Sequence, residues 1–245
     1  MNKKALAPLP WLTFNSALVD AVKGIIDADV FYMEPYFSPA SPSWCLPNKN
    51  KAINDTFGFL INLSRVLQKS LDPDILMPQV STLSQEKAAT ILSNSASDDV
   101  SKAAAFFFLC QTAFHGVEPK DVKDLEISLD NDGFVAGFAN NSSWLKHLLR
   151  LQLDERDPLK FINTWDNPGS FSYIDAPIVL GKEQLKYTPI CREFHHVNLT
   201  KRVLALKSNV LMRSIHEESD DLLLKGGFSR VAKDDSFGTL WLSLK

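Results

Sequence analysis

Apolar residues recur at helical spacing between Phe14 and Ile26, where Phe14, Ala17, Leu18, Ala21, Val22 and Ile25 share one face and Asn15 or Ser16 is available as an N-cap. The pattern predicts an amphipathic helix. A short apolar run at Val30 to Met33 follows and reads as a strand. It gives way to Ser38-Pro39-Ala40-Ser41-Pro42-Ser43, whose prolines and serines exclude an immediate helix and indicate an irregular loop. A second strand is expected at Ala52 to Asn54 and a helix from Phe57 to Ser70. Such alternation implies crossover connections and a mostly parallel sheet. From Asp72 to about Pro158 the alternation weakens: helices are expected at Ser84 to Asn94 and Asp98 to Thr112, and polar, turn-rich sequence follows through Asp130-Asn131-Asp132-Gly133. Phe171-Ser172-Tyr173-Ile174 is β-branched and aromatic and reads as a buried strand. It delivers Asp175 to a turn, which is where open α/β sheets keep their chemistry. Leu199 to Lys207, Val210 to Ile215, Asp220 to Lys225 and Gly238 to Leu244 complete the sheet with its helices.

Composition narrows the class. A chain of 245 residues, 45% hydrophobic and 22% charged, buries a full core as one large domain or one domain with a small insert. The longest apolar run, Ala103 to Cys110, is far short of the roughly 20 residues of a membrane span. Met1-Asn2-Lys3-Lys4 leads into a Pro-broken segment rather than a signal-peptide core. A cytoplasmic protein with no membrane partner is therefore expected. Cys45, Cys110 and Cys191 are odd in number and widely spaced, which argues for reduced thiols and against a Cys-x-x-Cys metal site. His195-His196 and His216 have no acidic residue at a recognisable ligand spacing, so no metal is expected. Phosphate-binding and hydrolase signatures are missing as well: there is no Walker loop and no Gly-x-Ser-x-Gly.

Asp175-Ala176-Pro177-Ile178, preceded by a Tyr-Ile strand, resembles the Asp-Pro-Pro-Tyr motif of the Dam-like class of adenine-specific DNA methyltransferases. Other blocks follow in the same order. Phe31-Tyr32-Met33-Glu34-Pro35-Tyr36-Phe37 is similar to that family's first strand and its Glu-Pro-Phe, and Ala52 to Gln68 to its next strand and helix. Phe106-Phe107-Phe108-Leu109 with Thr112-Ala113-Phe114-His115-Gly116 resembles its Phe-Leu-Asn-Arg-Thr-x-Phe-Asn-Gly segment, and Thr239 to Leu244 its last strand. The resemblance spans nearly the whole chain. It implies an α/β fold, a Rossmann-like methyltransferase sheet with helices on both faces, formed by residues 1–70 and 159–245. Residues 71–158 would form a mainly helical inserted subdomain in the position of the family's target-recognition region.

The resemblance also assigns roles. Trp11, Glu34, Pro35, Tyr36 and Asp55 would bind S-adenosylmethionine, with Asp55 accepting from the ribose hydroxyls. Asp175, Ala176 and Pro177 would form the catalytic turn, in which the carboxylate and the next carbonyl accept from the adenine amine of a flipped base. His115 would face DNA, together with Lys182, Lys186 and Arg192. Plainer readings stand beside two of these: Asp55 as N-cap of the Phe57 helix, and Asp175 as a turn-capping carboxylate.

Departures from the family pattern fall at both sites. A donor lying across the strand ends needs close backbone approach, which glycine permits. Here the loop after the first strand carries Pro39 and Pro42, and Trp11-Leu12-Thr13-Phe14-Asn15 lacks the family's glycines and lysine. Ala176 replaces the second residue of the catalytic motif, and Ile178 removes the aromatic platform, worth about 1–3 kcal/mol of base stacking. The net charge of -3 leaves only a local basic face, formed by Lys182, Lys186, Arg192, Lys201, Arg202, Lys207 and Arg213, and the same residues also read as solvated helix and loop positions. Three functions follow: a homologue with methyl transfer lost or severely weakened that keeps DNA contact, an active adenine methyltransferase using S-adenosylmethionine, or a regulatory module that binds a protein partner or a second copy and needs no cofactor.

Overall fold

The structure is a computed structural model that describes residues 16–38, 41–44, 46–47, 50–55, 58–112, 150–176, 196–214, 217–234 and 238–245. Its first helix, α1 (Ser16–Ile25), leads to β1 (Phe31–Glu34), and a 3-10 turn at Pro42–Trp44 precedes β2 (Lys51–Asn54). Four helices follow: α2 (Phe59–Ser70), α3 (Met77–Val80), α4 (Gln85–Ser93) and α5 (Asp99–Thr112). The remaining elements are β3 (Leu151–Asp154), α6 (Pro158–Trp165), β4 (Ser170–Ile174), α7 (His196–Leu204), β5 (Asn209–Ser214), α8 (Glu217–Lys225), β6 (Ser229–Asp234) and β7 (Gly238–Ser243).

The seven strands form one sheet in the order β3-β2-β1-β4-β5-β7-β6. β1 runs parallel to β2 and β4, and β4 parallel to β5, whereas β7 is antiparallel to both β5 and β6. This is the doubly wound order 3-2-1-4-5-6 with one reversed strand inserted before the last, so the fold is α/β and Rossmann-like. Side chains alternate between two apolar layers, as a sheet covered on both faces requires. On one face Tyr32, Phe171, Tyr173, Leu211 and Leu240 pack with Leu18, Val22 and Ile26 of the α1 region. On the other, Met33, Ala52, Ile174, Val210, Met212 and Trp241 pack with Phe161 and Ile162 of α6, Leu199 and Val203 of α7, and Leu223 of α8.

The chain divides into two compact units. One comprises residues 15–37, 46–56 and 154–245, the other residues 1–14, 38–45 and 57–153. In the second unit α2 groups with α3, α4 and α5. It begins at Gly58, whose φ of 73° is open to glycine at little cost, and the ring of Phe59 stacks on Phe106 at 5.9 Å. α5 is capped by Asp98, whose carboxylate accepts from the Ser101 N–H at 2.9 Å and the Ser101 hydroxyl at 2.6 Å.

Four elements, α3, α6, β3 and β6, go beyond the sequence-based expectation. α6 starts at Pro158 with Asp157 as N-cap, its carboxylate accepting from the Leu159 and Lys160 N–H groups at 3.0 and 3.1 Å. At the far end of α6, Asp166 accepts from the Lys207 and Ser208 N–H groups, which ties the helix to the turn before β5. β3 and β6 are strands by virtue of pairing: β6 has five exposed positions of six and a register shift between Arg230 and Ala232 that blunts a sheet edge. Among the described residues no helix is long and apolar enough to cross a membrane.

Candidate functional site

Strand order reverses at β1, with β2 on one side and β4 on the other, and in an open α/β sheet the crevice for ligands opens at the carboxyl ends of such strands. Three carboxylates stand there. Glu34 is the last residue of β1, Asp55 the first after β2, and Asp175 the first after β4. The period of two in a strand explains how they are delivered. Tyr32, Tyr173 and Leu211 point into the α1-side core, so Glu34, Asp175 and Arg213, each two residues further on, point to the same side at the rim.

Hydrogen bonds join the rim groups to one another. The Tyr32 hydroxyl donates to Glu34 Oε2 at 2.9 Å, and both residues are buried. The Tyr173 hydroxyl donates to Asp175 Oδ2 at 3.1 Å. Arg213 Nη1 contacts both oxygens of Asp175, at 3.2 and 3.1 Å, and these two side chains are only 12% and 24% exposed. Burial, first, and then the charge of Glu34 raise the Tyr32 phenol well above its ordinary range. Tyr173 is raised likewise, by burial and then by Asp175 and Glu34, with Arg213 opposing. Both phenols therefore stay protonated and act as donors to the carboxylates.

On the opposite face of the sheet the turn after β1 is pinned to β2. The Phe37 N–H donates to the Asn54 carbonyl at 2.8 Å, and Asn54 Nδ2 donates to the Pro35 carbonyl at 3.0 Å. Asn54 is wholly buried and its Oδ1 has no hydrogen-bond partner, which makes it an acceptor facing inward without a donor. Tyr36 packs against the core on this side, and its phenol is raised by burial and by the charge of Asp157.

The sequence-derived candidates sort as follows. Glu34, Pro35, Tyr36, Asp55, Asp175 and Ala176 all lie at the carboxyl ends of β1, β2 and β4. Trp11, His115, Pro177, Lys182, Lys186 and Arg192 lie outside the described residues. Asp55 is not the cap of α2, since that position belongs to Gly58 and has no side-chain cap bond; the Asp55 N–H instead donates to the Asp154 carbonyl at 3.1 Å. Arg213, which the sequence offers as part of a basic face or as a solvated position, is neither: it is a largely buried partner of Asp175 on β5. Sequence reasoning missed its role, and that of Asn54, because neither position departs from an ordinary strand residue.

Whether S-adenosylmethionine fits can be judged from donors and acceptors. Asp55 places a carboxylate, the acceptor type that hydroxyls require, at the end of β2, whereas Asn54 Oδ1 is wholly buried. The segment that follows β1 in sequence offers less: the Ser41 N–H donates to the Ser38 carbonyl at 3.0 Å, the Ser43 N–H to Ser41 Oγ at 3.0 Å, and Pro42 has no N–H. Ser41 and Ser43 also bond to each other through their hydroxyls at 2.7 Å. The Ser41 and Ser43 backbone donors are thus spent within their own segment. The chain matches no protein-family model, and no curated protein matches it in sequence.

Proposed function

We propose that the chain is a divergent homologue of the Dam-like adenine methyltransferases that retains the sheet and contact with DNA, and in which transfer from S-adenosylmethionine is lost or severely weakened. The observation that carries this reading is the placement of Glu34, Asp55 and Asp175 at the carboxyl ends of β1, β2 and β4, beside the reversal in strand order. Three acids at three successive strand ends are what a nucleoside site needs on its acceptor side. Loss of transfer is supported by Pro39 and Pro42 in the sequence after β1, by Ala176 in place of a proline, and by Ile178 in place of a stacking aromatic.

The test is a transfer assay with the purified protein, radiolabelled S-adenosylmethionine, and single- and double-stranded DNA. Incorporation at background level is expected, and robust adenine methylation would overturn the proposal. That result would instead support an active enzyme that uses Asp175 and the Ala176 carbonyl as acceptors.

A second reading, a protein-contact module on the same fold, is favoured by the net charge of -3 and by the engagement of Arg213 away from the basic face. The two are separated by a mobility-shift titration across salt. Affinity that falls steeply with salt supports DNA contact through Lys and Arg, and no affinity at low salt supports protein contact.

A further inference from the structure

We infer that Arg213 is an internal occupant of the acceptor site on Asp175, and that it decides whether this carboxylate can take the exocyclic amine of an adenine base. The inference rests on the reading of Asp175 as the residue that would receive the base. An ionised carboxylate has about four lone-pair sites. Arg213 Nη1 approaches both oxygens, at 3.2 and 3.1 Å, and the Tyr173 hydroxyl takes a further site on Oδ2 at 3.1 Å. Three of the four sites are therefore held by the protein itself.

The competition is also unequal in strength. A hydrogen bond between guanidinium and carboxylate is charge-assisted and roughly twice as strong as one from a neutral donor such as the adenine amine. Its position is fixed as well, because β5 is flanked by β4 and β7, with Met212 in register with Ile174 and Arg213 with Leu240. Little movement is open to the side chain, which is only 12% exposed. A base approaching Asp175 meets a carboxylate that is ion-paired and mostly occupied, and its amine has one remaining acceptor site in place of two open oxygens.

Two consequences follow for specificity. With Arg213 in place, Asp175 contributes no preference for adenine over a purine that lacks the amine. Without it, the carboxylate keeps its bond from Tyr173, loses the cation that balances its charge and becomes an acceptor for an amine.

The experiment follows the side-chain carboxyl carbon of Asp175 by NMR during titration with free adenine and, separately, with unsubstituted purine. In the wild-type protein neither base is expected to move the resonance. In Arg213→Met adenine is expected to shift it, with an affinity about tenfold above that of purine, the worth of one hydrogen bond. Arg213→Gln, which keeps the polarity of the site, is measured beside it in case the methionine variant does not fold, and is expected to give the same preference for adenine. The inference is overturned if the wild-type protein responds to adenine as strongly as the variants, or if a folded variant shows no preference for adenine over purine. These outcomes are independent of the wider reading: a variant that accepts adenine in a protein with no DNA affinity upholds the lock and removes the proposed function, and the reverse pairing does the opposite.

Discussion

Tyr32 and Tyr173 show how a buried rim can hold carboxylates at a strand end. Each phenol sits two residues before the acid it serves, on the same face of its strand, and burial keeps it protonated. Tyr32→Phe removes the donor to Glu34 while preserving the ring that fills the α1-side core. The expected cost is about 1.5–3 kcal/mol, the range for a hydrogen bond to a charged group, read as a lower urea midpoint with unchanged slope. An unchanged midpoint would mean that Glu34 is served by other donors. The acids themselves were legible in the sequence, because a carboxylate closing a β-branched run is a recognisable pattern. Arg213 was not, since its partner is 38 residues away and a lone arginine in a strand looks the same whether it faces water or an acid.

At the scale of elements, helix ends carry the most direct tests. Asp98 is the exposed N-cap of α5, and hydrogen bonds from the Ser101 hydroxyl and N–H hold its carboxyl below the ordinary range. Asp98→Ala should cost about 1 kcal/mol at neutral pH. Because the folded-state value is depressed, that contribution is present above the ordinary carboxylate range, near pH 3.9, and is lost as pH falls through the folded value. Wild type and variant should therefore converge in thermal stability in acid, and a constant difference down to low pH would contradict the assignment.

α2 ends at Leu71 in the left-handed region, with φ 57° and a side chain 63% exposed. A glycine there relieves backbone strain and gives up little burial, so Leu71→Gly is expected to gain about 0.5–1 kcal/mol in a urea titration. A loss would show that the leucine packs in a way its exposure conceals.

α1, β1, β2, α4, α5, β4 and β5 were all visible as apolar periodicity, because each buries one face or both. β6 was not: Ser229 to Asp234 has no apolar alternation, and its pairing with β7 alone makes it a strand. α6 was within reach, since Asp157-Pro158 is an ordinary helix start, but the sequence reading places no element between Pro158 and the strand at Phe171.

At the scale of the molecule, the order β3-β2-β1-β4-β5-β7-β6 decides where chemistry can occur, because among the described residues the rim beside β1 and β4 combines a reversal of strand order with acids from three strands. No local pattern specifies that order; it emerges from which strands pair. Acids stand at this rim, whereas the sequence after β1 carries Pro39 and Pro42 where a Gly-rich turn would supply backbone donors. That combination is the basis for the proposed loss of transfer. The most direct test is a calorimetric titration of the purified protein with S-adenosylmethionine. The account predicts no detectable binding at millimolar donor, and micromolar binding would contradict it.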